Sequence, residues 1–374
     1  MTGLIVSAAD LHEAAGWAAR AVATRPHVPV LGGLLIEVAD DKLTVSGYDY
    51  ETCLSATISA TVTTPGRLLV SARLLSDVAA KLGKQSNVEI TADGARLTVR
   101  EGRSEWRLPL LPVEDYPQLP GLGESVGTVD AGVLRAAVAA VVPAAGRDDS
   151  LPMLTGVRVE SDGDRIALAA TDRFRLATTT IGWSPAGEAS LELLVTPRLL
   201  DAAVKATPSG PLAVHHDGGN LGFATESHRL VGRLLDVEFP RWRQLLPTDL
   251  SRYAVVDTAG LAEAAAKVAV VTDRVAQVRL AVDTDRIVVS AGGDDTGSAQ
   301  ADTLVHELVG DPIIVGVNPA YLADALKACG AERVRVCFGA NPNRPMLLLP
   351  DSDDSAHRHL LMPVRLAEQG RAAA

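Results

Sequence analysis

The sequence is short of aromatic side chains, cysteine, positive charge and long apolar runs. Phe, Trp and Tyr make up 3% of 374 residues, so stacking platforms for unpaired bases are not expected and the cores must be aliphatic. Three cysteines, Cys53, Cys329 and Cys337, are too few and too scattered for a disulfide framework or a CxxC metal site, which fits a reducing cytoplasm. Lys and Arg number 35 against 46 Asp and Glu, a net charge of -11. Many nucleic-acid-binding proteins carry a basic excess instead; net charge, however, reports an average and not a distribution. The most apolar helical stretch, 133–145, contains Arg135 and Pro143 and falls short of the ~18 residues a membrane span needs. The opening MTGLIVSAADLHEAAGW has no basic segment followed by an unbroken apolar one, so neither a signal peptide nor a membrane partner is expected.

What is present suits a multi-domain globular protein: 47% hydrophobic and 22% charged residues on a chain longer than single cores usually grow. Three stretches begin with a capping residue and a helical pattern: SAADLHEAAGW from Ser7, DAGVLRAAVAAV from Asp130 and DTAGLAEAAAKV from Asp257. Their equivalent leucines, Leu11, Leu134 and Leu261, are separated by 123 and 127 residues. Ser and Asp are good N-caps, and Ala and Leu good helix formers. Each helix is followed by alternating apolar and polar residues broken by a polar turn, the pattern of a β-hairpin: LLIEVADDKLTVSG, GVRVESDGDRIALA and VRLAVDTDRIVVS. A third landmark repeats in phase: VSARLLSDVAAKL from Val70, VTPRLLDAAVKAT from Val195 and VNPAYLADALKAC from Val317, each a strand end, a cap and a helix. Three landmarks on one period predict three tandem domains, 1–122, 123–250 and 251–374. Each is an α+β domain with two helices on antiparallel sheets of roughly eight strands.

A search for catalytic or metal chemistry returns little. His12-Glu13 opens like a zinc-protease helix, but the second histidine one turn on is missing. Gly121, Gly123 and Gly127 miss dinucleotide spacing and follow a Pro-rich linker instead of a strand. GWSPAG around Ser184 is not a nucleophile elbow. The run DSDDS at 351–355 lacks the Gly and Glu of a calcium loop, and His215-His216 and His357-x-His359 have no visible third ligand. No cofactor, metal or catalytic residue is expected, which leaves a binding or scaffolding role. An enzyme with a convergent site remains the alternative, since such groups meet from distant positions.

Four segments, LPVEDYPQLP (111–120), ATDRFRLA (170–177), EFPRWRQLLP (238–247) and LMPVRL (361–366), together with the threefold period, resemble the bacterial DNA sliding clamp, the β subunit of DNA polymerase III, in an actinobacterial-type version. The resemblance runs from Leu4 to Leu366. It implies a homodimer, closed head to tail into a six-domain ring with helices lining the hole, that encircles duplex DNA without reading its sequence. The DNA polymerase III catalytic subunit, the clamp loader and other clamp-motif replication and repair proteins are the implied partners. A specialised or inhibitor-tolerant paralogue is the variant of that reading.

The charge deficit fits such a ring if cations gather on the inner helices and acids outside. The helical segments carry His12, Arg20, Arg73, Lys81, Lys84, Arg135, Arg198, Lys205, Lys267 and Lys327. By similarity Arg25, Arg73, Arg147 and Arg198 match DNA-contacting positions, and Ala320 stands in the third repeat where the other two have Arg. The resemblance also implies a peptide-binding pocket between the second and third domains. Its matched positions are Leu154, Thr171, Arg173, Phe174, Arg175, Leu176, Pro240, Gln244, Leu245, Asn318, Tyr321, Pro345, Met346, Met362, Pro363, Val364 and Arg365. Gln244 departs from the Arg often found at its position.

Overall fold

The computed structural model describes residues 2–187, 190–207, 209–271, 277–293, 297–352 and 356–366. Among these residues lie seven α-helices: α1 (Ala8–Ala18), α2 (Ala72–Ala79), α3 (Ala131–Val141), α4 (Pro152–Thr155), α5 (Pro197–Ala206), α6 (Thr258–Ala269) and α7 (Pro319–Cys329). Every helix except the single-turn α4 is entered from a β-strand. Thr2–Ser7 runs into α1, Gly66–Ser71 into α2, Glu124–Asp130 into α3, Glu192–Val195 into α5, Tyr253–Asp257 into α6 and Ile313–Val317 into α7. The strand-to-helix unit therefore occurs twice in each third of the chain, a finer repeat than the sequence period.

Side-chain caps explain where these helices start. Ser7 Oγ accepts from the Asp10 amide and Ser71 Oγ from the Leu74 amide, both at 3.4 Å. Asp130 accepts from the Gly132 amide at 2.8 Å, and Asn318 from Ala320 at 2.9 Å and Tyr321 at 3.3 Å. Each satisfies an amide that the helix itself leaves without a partner. Asp257 differs: its side chain does not cap α6 but binds His306 Nε2 at 2.8 Å. The stretch 133–145 is also not one helix. α3 stops at Val141 and a 3-10 turn, Val142–Ala144, takes over, because Pro143 has no amide to continue the ladder. On the inner face of each repeated helix one leucine is sealed: Leu11, Leu75, Leu134, Leu199, Leu261 and Leu322 are at most 5% exposed, each contributing ~1.5–3 kcal/mol of burial.

The strands form two antiparallel sheets of fourteen and twelve strands. The chain divides into two compact units: residues 1–132, 184–188 and 198–234 hold the larger sheet, and residues 133–183, 189–197 and 235–374 the smaller. Pairing crosses the sequence repeats inside each unit. In the first, Leu230 of the middle third pairs with Leu54; in the second, Leu176 pairs with Leu360. The turn Asp40-Asp41 has φ of 49° and 53° between the paired Ala39 and Lys42, the left-handed pair that a two-residue hairpin needs and that Asp tolerates. Gly47 is dictated by packing: a side chain there would run into the Ala18 carbonyl at the end of α1. Cys53, Cys329 and Cys337 are buried and free.

Candidate functional site

In the second unit a cleft of about 560 Å³ is lined by Ala145–Asp148, Leu151, Leu154, Asp172–Arg175 and, from α7, Ala320, Tyr321 and Asp324. Arg175 organises it. The strand Arg175–Gly182 begins at this residue, whose guanidinium is 8% exposed. Nε donates to Asp172 Oδ2 at 2.9 Å, Nη1 to Asp324 Oδ2 at 2.6 Å, and the cation lies 4.3 Å from the centre of the Tyr321 ring. A buried cation thus has two carboxylates and an aromatic face, which offsets its desolvation. Asp172 also accepts from the amides of Phe174 and Arg175, both at 3.0 Å, and Thr171 Oγ1 donates to the Arg175 carbonyl at 2.7 Å. These bonds fix a tight turn that projects Arg173 and Phe174 outward. Phe174 is 52% exposed, and Arg173 sits at φ 80°, a left-handed conformation that costs an L side chain ~1–2 kcal/mol. Burial raises the Tyr321 hydroxyl pKa, and the nearby Asp172 adds to the shift.

The remaining sequence-predicted pocket residues divide by burial. Leu154 is buried at the cleft wall, while Leu176 and Met346, each 1% exposed, belong to hydrophobic cores. The strand that begins at Met346 is paired on both sides within the sheet. Asn318 is spent on capping α7. Leu245, in the 3-10 turn Trp242–Leu245 that also holds Gln244, is 49% exposed, and Met362 and Val364 are 38% and 40% exposed. Pro240 and Pro345 are half-buried, and Pro363 and Arg365 lie in the same terminal segment. The Met362 amide donates to the Phe174 carbonyl and the Val364 amide to the Gly316 carbonyl, both at 2.8 Å, tying that segment to the cleft turn and to the strand leading into α7. Arg147 lines the cleft as well, beside Asp148, whose carboxyl pKa is lowered chiefly by its bond to Ser150.

Among the other basic residues, Arg25 is exposed in the loop after α1. Arg73 on α2 pairs only loosely with Asp77, at 3.7 Å with both side chains open to solvent. Arg198 on α5 is held instead. It binds Asp49 and donates to the Arg20 carbonyl at 2.9 Å, locking a middle-third helix onto the first third within one unit. No group of three or more His, Cys, Asp or Glu placed to hold a metal occurs among the described residues, and no helix there is long and apolar enough to cross a membrane. Asp353, Asp354 and Ser355 of the acidic run, and residues 367–374, lie outside the described residues.

Three domain families of the DNA polymerase III beta subunit match in order: the N-terminal domain at residues 2–120, the central domain at 128–241 and the C-terminal domain at 243–365. The chain belongs to the DNA polymerase III beta subunit family. A beta sliding clamp of Streptomyces coelicolor is 39% identical over 369 residues, covering 96% of this chain and 97% of the relative. Among solved structures, the sliding clamp of Bacillus subtilis superimposes with a TM-score of 0.93 at 22% identity, over 98% of this chain and all of that one. A clamp of Pseudomonas aeruginosa bound to griselimycin gives 0.90 at 24% identity, over 98% and 100%. At those identities the structures speak for the fold. As a sliding clamp the protein is a non-catalytic subunit.

Sequence reasoning about this clamp missed Asp172, Asp324, Asp148 and Leu151 at the cleft. Asp172 lies inside the quoted motif ATDRFRLA, and Asp324 is one helical turn beyond Tyr321, so helical spacing offered a signal. Their common partner, Arg175, is 149 residues from Asp324, and nothing local announces that pairing.

Proposed function

We propose that the protein is a homodimeric ring that encircles duplex DNA in the cytoplasm and tethers the replicative polymerase, with clamp domains at 1–122, 123–250 and 251–374. The observation that supports this most is the sixfold strand-to-helix unit, which gives every third of the chain the same pair of helices. Two chains would supply six such thirds, and head-to-tail contacts close only when the rotation per unit divides the circle. Exposed cations on the helices, Arg73 foremost and with Arg25 beside α1, would meet phosphates without reading bases, which permits sliding. Arg198 would contribute while also bracing α5.

The cleft around Arg175 is proposed as the docking site for a linear peptide. Phe174, Leu245, Met362 and Val364 offer apolar contact, and Arg173 and Arg147 offer donors to a peptide backbone or carboxylate. The polymerase catalytic subunit, the clamp loader and other clamp-motif replication and repair proteins would share it. Holding a polymerase there raises its effective concentration at the template.

The test of encirclement is retention after loading on circular duplex DNA followed by linearisation. Release on cutting supports a ring; equal retention on both forms overturns it. Griselimycin, present in the Pseudomonas complex, is the probe for the cleft: titration of Phe174→Ala should show weakened binding, and unchanged affinity would remove the cleft from the reading.

A further inference from the structure

The sheet faces turned away from the helices are covered in two of the three repeats. In the first, Leu111 crosses to pair with Leu69 on the strand leading into α2, and the segment that follows buries Tyr116 among Leu31, Leu35 and Leu69. In the second, the Leu235 amide crosses to the Leu194 carbonyl at 3.0 Å, and the segment that follows buries Phe239 and Trp242 against Ala169 and Leu194. The third repeat makes the same crossing, from the Val364 amide to the Gly316 carbonyl, but no described residue follows Leu366 onto the face. Residues 367–374, AEQGRAAA, hold no aromatic or large aliphatic side chain to take the part of Tyr116 or Trp242.

The uncovered face differs in chemistry as well. Three residues before each hairpin turn stand Glu37, Glu160 and Ala281, on the face in question because alternate strand residues share a side. Their neighbours across the sheet are Arg67 and Thr44 in the first repeat, Glu192 and Ala167 in the second, and Ile314 and Val288 in the third. Glu37 pairs with Arg67 at 3.5 Å, and Glu160 binds both Arg158 and Arg243 of the covering segment. In the third repeat all three positions are apolar. Ile314 is 38% exposed, and Ala281 and Val288 are half-buried. They floor a groove of about 690 Å³ in the second unit, bordered by Arg252, Arg286 and Pro312. The strand Ile313–Val317 is also the last of its sheet, and its free edge meets only Val364, at Gly316. An apolar strand on an open edge is a surface that proteins normally shield.

The charges around the groove are unequally engaged. Asp283 accepts from the Thr284 amide at 2.8 Å, and Arg252 donates to the Ala340 and Asp311 carbonyls. Arg286, 56% exposed, has Asp302 only at 3.9 Å, so the complementary group is a carboxylate.

We propose that this groove docks an extended segment of a partner protein, which lays an aromatic side chain over Ala281, Val288 and Ile314, pairs its backbone with the free edge of Ile313–Val317 and sets a carboxylate against Arg286. Strand addition supplies affinity through the main chain, and the apolar floor selects the side chain. The first two repeats carry the template, since each covers the equivalent face with its own connecting segment and a buried aromatic. The proposal rests on neither the ring nor the cleft around Arg175.

The probe is the first connecting segment as a free, fluorescently labelled peptide, LPVEDYPQLP, in which Glu114 and Asp115 adjoin Tyr116. It is titrated into the full chain and followed by anisotropy. Saturable binding that weakens at least about tenfold in Ile314→Glu, and likewise when the peptide carries Tyr116→Ala, supports the docking site. Arg286→Ala should give a smaller loss that high salt removes. Ile314 is part-exposed, so its replacement leaves the core intact; circular dichroism checks this, and Val288→Ser provides a second variant. Excess griselimycin and Phe174→Ala should both leave the peptide bound, which separates failure of this proposal from failure of the Arg175 cleft. A chain lacking residues 367–374 should bind as the parent does; tighter binding would make that segment the occupant and overturn the partner. No saturation, equal affinity in parent and Ile314→Glu, or displacement by griselimycin also overturns the proposal.

Discussion

The Arg175 guanidinium reaches across 149 residues to Asp324 and closes a 2.6 Å ion pair, with Asp172 on its other edge. Arg175 is buried, whereas Asp324 is 41% exposed, so water softens the loss when the aspartate is removed. Asp324→Ala should destabilise the second unit by ~1–2 kcal/mol, read as a shift in urea midpoint. It should also weaken griselimycin binding, because the turn carrying Arg173 and Phe174 loses its tie to α7. Asp324→Asn, which retains an acceptor, should recover part of both.

Arg173 bears the conformational cost of that turn. Replacing it with glycine relieves the positive φ, and after the added entropy of the unfolded chain a net gain of ~0.5–1 kcal/mol is expected. Thermal unfolding should rise by a small margin while cleft affinity falls, since the side chain that faces the ligand is gone. A stability loss would show that the residue is held by contacts stronger than the strain.

Two buried histidines make the second unit acid-sensitive. Burial pushes His359 down to about 3 and His357 to about 4 from an ordinary 6.5; Arg175 adds to the first shift, and the Thr178 backbone opposes the second. Both are neutral when folded and take up protons when unfolded. The stability they permit is therefore complete above pH ~6.5 and is lost as pH falls from there toward the folded values, at up to ~1.4 kcal/mol per pH unit for each. Urea midpoints between pH 7 and 4.5 should trace that slope, and His359→Leu should flatten it.

Arg73 and Arg198 are separable. Arg73→Ala removes a nearly free cation and should lower the salt dependence of DNA binding by about one counterion with stability unchanged. Arg198→Ala should lower stability as well, by ~1 kcal/mol, because it releases Asp49 and the Arg20 carbonyl. Equal effects from the two would contradict the bracing role.

Gly47→Ala tests the packing of α1 on its sheet. The added carbon has nowhere to go but into the Ala18 carbonyl, a backbone atom that cannot rotate away, and a cost of ~2–3 kcal/mol in the first unit is expected.

Much of this was written locally. Ser7, Ser71, Asp130 and Asn318 cap helices where the sequence placed them, and the hairpin turns at Asp40-Asp41 and Gly163-Asp164 fall where alternation breaks, because caps and turns depend on residues two to four apart. The motif ATDRFRLA marked the cleft turn through the family resemblance it carries. Asp257 shows the limit: its type and position suit a cap, yet His306, 49 residues away, takes the carboxylate. Leu176, 1% exposed, shows another, since an apolar residue in a motif reads the same whether it faces a ligand or a core.

The sequence by itself determined the threefold period, the two helices in each third and the aliphatic character of the cores. Only the tertiary structure decided that the strands would join into two sheets crossing the repeat boundaries, that Arg175 would find Asp324, that Arg198 would brace α5 instead of standing free, and that His228 would meet Trp17. Periodicity and capping are fixed by neighbours along the chain, whereas these pairings depend on which distant surfaces lose water together, a choice made by the packing of the whole unit.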